Sequence, residues 1–157
     1  MGEEICELKY LKSLSVSAYG MNELPENFIK LGGKADKSYR GLEKLDLSGN
    51  NFPSLAAITE VVNEENFPNL HALSLVGNRR SDSYSDLSQG RTHNGRELGL
   101  YIDISAGAEK EAFLQLLTWD KLRSLRFSYN FIEGTLPTDE EEKMTIRSSW
   151  FREQTGK

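Results

Sequence analysis

The nine residues LEKLDLSGN, Leu42 to Asn50, return twice further along the chain, as LHALSLVGN from Leu70 to Asn78 and LRSLRFSYN from Leu122 to Asn130. Each copy reads apolar, two variable, apolar, one variable, apolar, two variable, Asn. The alternation in its middle sends two apolar side chains to one face of a short strand and the residues between them to the other. Weaker copies are LKSLSVSAY, Leu11 to Tyr19, and GLYIDISAG, Gly99 to Gly107, with Ile102 and Ile104 in the apolar slots. Starts at 11, 42, 70, 99 and 122 give steps of 31, 28, 29 and 23. Self-similarity at such a period is the signature of a solenoid, in which each unit buries its apolar face only by stacking on its neighbours.

The series resembles the leucine-rich repeat family, whose strand motif is LxxLxLxxN, over Leu11 to Pro137. The resemblance implies an α/β solenoid, a right-handed β-α superhelix with about five parallel strands on its concave face. It also implies a ladder in which the amides of Asn50, Asn78 and Asn130 bond the backbone of neighbouring repeats, with Tyr19 and Gly107 leaving two rungs out. NFIEGTLP, Asn130 to Pro137, is similar to the NxLxGxIP extension of plant-type repeats, which is also common in surface proteins and lipoproteins of gut-dwelling bacteria. An extracellular or cell-surface location follows from that resemblance alone.

The return segments carry helical spacing. Leu55, Ile58, Val61 and Val62 fall on one face with Ser54 as N-cap after Pro53, and Phe113, Leu116 and Leu117 do the same between Glu109 and Trp119. Residues 1–137 are thus expected to form the solenoid. Residues 138–157, with an acidic run at Asp139 to Glu142 followed by Trp150 and Phe151, are expected to be a C-terminal cap or tail. A chain that is a piece of a longer array is the alternative.

Composition narrows the function. The 157 residues fit one domain. A net charge of -5 and a pI near 5.2 argue against nucleic acid, whose recognition is built on clustered Lys and Arg. Cys6 has no second cysteine to pair with and reads as a buried thiol. No run of about 18 apolar residues spans a membrane, and the first thirty residues lack the layout of a signal peptide and a myristoylation signal. His71 and His93 stand apart from each other and from any metal-ligand spacing. HExxH, CxxC, GxSxG and phosphate-loop patterns do not occur, so no metal, no cofactor and no enzyme activity are expected.

What remains is a surface. The third, fifth and seventh motif positions should face outward: Ser13, Ser15 and Ser17; Lys44, Asp46 and Ser48; Ala72, Ser74 and Val76; Tyr101, Asp103 and Ser105; Ser124, Arg126 and Ser128. Five strands give a patch of roughly 300–350 Å², against about 800 Å² per partner in a standard protein interface. The polar segment Arg79 to Glu97 is therefore the second candidate. It is either a connector or a binding loop that grips ligand through Arg79, Arg80, Tyr84, Arg91 or Arg96. Asp82 and Asp86 alone lack the ligands for a cation. The expected function is a non-catalytic interaction module that binds a protein or peptide through the concave sheet and the 79–97 loop. A structural spacer within a longer cell-surface array and a glycan-binding surface protein are the alternatives.

Overall fold

The structure is a computed structural model that describes residues 2–17, 19–77, 100–105, 107–127 and 130–134. Strands β1 (Ser13–Ser15), β2 (Lys44–Asp46) and β3 (Ala72–Ser74) open the first three repeats. They are followed by β4 (Tyr101–Asp103), β5 (Ser124–Arg126) and β6 (Phe131–Glu133). β1, β2, β3 and β5 form one parallel sheet in that order, with Leu14, Leu45, Leu73 and Leu125 in register. All four leucines are buried, as are Val16, Leu47, Leu75 and Phe127 two residues on. Each such side chain removed from water contributes about 2 kcal/mol, so the alternation that identifies the repeats also holds the stack together.

The returns are short. Ser54 caps α1 (Leu55–Thr59), its side chain accepting from the Ala57 N–H at 3.1 Å. Asn63 ends the turn beyond α1 by donating to the Thr59 carbonyl at 3.0 Å. α2 (Gly107–Thr118) turns Ala112, Phe113, Leu116 and Leu117 inward, and the Phe113 ring lies 6.3 Å from that of Phe127. A 3₁₀ turn at Glu3–Glu7 precedes β1, and the first unit returns through a second one at Glu26–Gly32. Glycine is required where that second turn meets the next units. A Cβ on Gly32 would strike the Asn66 carbonyl, and one on Gly41, whose φ is 82°, would strike Gly32.

One expectation is corrected. The strand at Tyr101–Asp103 does not join the main sheet, which has four strands and not five. β3 pairs directly with β5 (Ser74↔Arg126), while β4 pairs with β6 in a separate parallel pair (Asp103↔Glu133). The two asparagines show why. Asn50 donates to the carbonyls of Val16 and Leu47 at 2.9 Å and accepts from the Met21 N–H at 3.1 Å. Asn130 donates to Leu75 at 2.8 Å and Phe127 at 3.0 Å, and accepts from Leu100 at 2.9 Å. Leu75 and Leu100 therefore occupy the places of Val16 and Met21. Five positions separate the first unit's pair and 25 the later pair, so the unit starting at 70 carries 20 extra residues (25 − 5) before its second strand. The strand within GLYIDISAG thus lies outside the register that joins the strands of the units starting at 11, 42, 70 and 122.

Candidate functional site

The open face of the four-stranded sheet is the candidate site. Register sets two rows across it: Ser13, Lys44, Ala72 and Ser124, then Ser15, Asp46, Ser74 and Arg126. These eight side chains line a shallow depression of about 300 Å³ over the buried leucines. Ser13, Ser15, Lys44 and Arg126 are exposed and the other four half-buried. Three strand gaps of about 4.8 Å and strands about 10 Å long make a patch of roughly 150 Å², smaller than the sequence suggests.

Within it the polar groups differ in how far they are already committed. Asp46 accepts from the Ser48 N–H at 2.9 Å and from the Ser15 hydroxyl at 3.4 Å. Ser48 leaves the depression altogether: its hydroxyl lies 2.8 Å from that of Ser74 and accepts from the Val76 N–H at 3.1 Å, so it joins neighbouring units. Lys44 and Arg126 make no ion pair or side-chain hydrogen bond among the described residues.

Three of the sequence-derived binding residues lie elsewhere. Tyr101 and Asp103 belong to β4 and Ser105 follows it, so all three are displaced from the main sheet. The Asp103 carboxylate is held below its ordinary range by the Ser105 hydroxyl first and the Ser105 N–H, the latter at 2.9 Å. This is a self-contained turn. Ser128, Asn78 and the loop residues Arg79, Arg80, Tyr84, Arg91 and Arg96 lie outside the described residues.

A larger hollow, of about 660 Å³, runs between α1 and α2 on the helical side. Its charged lining is Glu60, Glu64, Glu65 and Glu111, with Ala56, Ala108 and Ala112 among the smaller residues. Glu65 is paired with Lys34, which holds its carboxyl below the usual range. Glu109, at the start of α2, accepts from the Leu55 and Ala56 N–H groups at 3.1 and 2.9 Å and so caps α1 from the next return segment. The sequence had offered Glu109 only as a helix boundary. Among the described residues no cluster of three or more His, Cys, Asp or Glu is arranged to hold a metal, and no helix is long and apolar enough to cross a membrane.

The family model described as Leucine Rich Repeat matches residues 41–61, which span β2, Asn50 and α1. No curated protein and no solved structure matches the chain significantly. Repeats of this kind are in general protein-interaction modules and generally non-enzymatic. The chain thus carries a leucine-rich repeat at residues 41–61, set in a four-stranded parallel sheet.

Proposed function

We propose that this chain is a non-catalytic interaction module whose open sheet face binds a segment of a protein or a peptide. The observation that carries this reading is the depression over β1, β2, β3 and β5, lined by small and polar side chains with Lys44 and Arg126 unpaired among the described residues. In this reading the repeats coil as a right-handed β-α superhelix with that face on the concave side. The face alone, at roughly 150 Å², falls far short of the ~800 Å² per partner of a globular interface. An extended segment suits it better, and a larger partner must also engage the flanks. The 79–97 segment is the proposed flank, because the chain leaves the main sheet after β3 and is next described at Leu100.

Capture of a purified binding partner by parent and variant chains tests the reading. Lys44→Ala with Arg126→Ala should weaken capture at least tenfold, and Asp103→Ala, outside the main sheet, should leave it intact. Equal capture by the double variant and the parent removes the sheet face from the binding site and leaves a spacer role.

A further inference from the structure

Two hollows of opposite charge lie on the two sides of the solenoid. The helical one is lined by four glutamates, of which only Glu65 is paired among the described residues, with Lys34; the sheet one carries Lys44 and Arg126 against Asp46, a net of +1 (2 − 1) in a chain of net charge -5. The single carboxylate of the sheet side is already hydrogen-bonded to Ser48 and Ser15, whereas the two cations have no protein partner among the described residues. A segment bearing carboxylates is therefore attracted to the sheet and repelled from the helices.

Geometry sets the spacing of those carboxylates. Lys44 lies in register with Ala72 and Ser124, and Arg126 stands two residues beyond Ser124 on β5. Two strand gaps and two residues of rise place their Cα atoms about 12 Å apart. An extended peptide presents residues i and i+4 on one face about 13 Å apart. The diagonal between the cations passes over Ala72 and Ser74, whose small side chains let a peptide main chain lie close to the sheet.

We propose that the sheet groove takes an extended acidic segment, with carboxylate side chains at i and i+4 seated on Lys44 and Arg126. This rests on the reading of the sheet as the binding face and adds the chemistry and spacing of its ligand.

Amide chemical-shift titration of the full ¹⁵N-labelled chain tests it, with a nine-residue Gly/Ser peptide carrying glutamate at its third and seventh positions as probe. Glutamine replaces both glutamates in one control and lysine in another. A third control brings the glutamates to adjacent positions. The expected result is saturable shifts at the Ser13, Ala72 and Ser124 amides, with binding at least tenfold weaker for every control peptide and for the Lys44→Ala and Arg126→Ala chains. Both residues are exposed, and retained spectral dispersion verifies that the variants fold. Equal or tighter binding of the glutamine or lysine peptide to the same amides overturns the acidic ligand while sparing the sheet-binding reading. Equal binding of the adjacent-glutamate peptide overturns the spacing. Shifts confined to the helical side, or none with any peptide, overturn the proposal and count against the reading beneath it.

Discussion

Asn130 donates through Nδ2 to the carbonyl of Leu75 at 2.8 Å, across 55 positions of sequence, where Asn50 makes the same bond to Val16 across 34. The difference of 21 positions (55 − 34) is, to within one residue of return length, the excess found between Leu75 and Leu100. One carboxamide thus holds both the point where the third unit leaves its strand and the point where it resumes, because its Oδ1 accepts from Leu100. An insertion bounded in this way adds length to one repeat without shifting the stacking of the next.

Excision is therefore predicted to be tolerated. Removing residues 79–98, twenty in all, gives the unit from 70 the same spacing between Leu75 and Leu100 as that between Val16 and Met21. Shortening the closed loop should stabilise the chain by about 1–2 kcal/mol, read as a raised urea midpoint. A chain that no longer unfolds cooperatively would contradict the assignment of this stretch as an insertion.

Asn50 is fully buried and its side chain serves Val16, Leu47, Tyr19 and Met21 at once. Asn50→Ala leaves buried backbone groups without partners and should cost about 3–4 kcal/mol. Asn130→Ala, at a half-buried site with three of these bonds, should cost about 1–2 kcal/mol. Urea denaturation of the two variants measures both, and the order of the two losses is the informative outcome.

The α1 cap is supplied from another return segment, so its loss should propagate between units. Glu109→Ala removes the acceptors of Leu55 and Ala56 and is expected to cost about 1 kcal/mol. Hydrogen exchange should show the Ala57 to Glu60 amides opening more often while those of the sheet stay protected.

Acid sensitivity follows from three carboxyls. Asp103 is held below its ordinary 3.8 by Ser105; Asp36 below 3.8 by Ser38 first and then Lys9; Glu65 below 4.5 by Lys34. In each case the folded chain releases the proton more readily, so the contribution is fully present above the ordinary value and is lost as pH falls through the lowered one. Stability should thus be flat in these groups above about pH 5 and decline below pH 4.5. In acid titration followed by circular dichroism, Asp103→Asn and Asp36→Asn should each flatten the acid limb. An acid limb as steep as the parent's would refute the link.

Most of the fold is written in local pattern. The LxL alternation locates β1, β2, β3 and β5, and Ser54 marks the start of α1, because these depend on residues within one turn of each other. The place of β4 is not local. Leu100, Ile102 and Ile104 are buried and alternate like any repeat strand, so period alone cannot separate a main-sheet strand from a second strand displaced by an insertion. The missing Asn at Gly107 was the available signal, together with the step of 52 between the starts at 70 and 122, which returns to 32 once 20 inserted residues are subtracted. That single reassignment moves Tyr101, Asp103 and Ser105 off the candidate face and brings Ser74 and Arg126 together on it. The division of polar labour, with Ser48 bonded between units and Lys44 unpaired among the described residues, depends on side-chain geometry that no spacing expresses.

The composition of the candidate face turns on whether β5 lies beside β3. Disulfide formation between paired cysteines measures this directly, in a chain with Cys6→Ser to remove the native thiol. Ser74 and Arg126 are in register on adjacent parallel strands with side chains on one face, at a spacing of about 5 Å that a disulfide spans. Ser74→Cys with Arg126→Cys should cross-link readily under mild oxidation, and Ser74→Cys with Asp103→Cys should not. Cross-linking of the Ser74 and Asp103 positions in preference would restore the strand at 101 to the main sheet and contradict the four-stranded face.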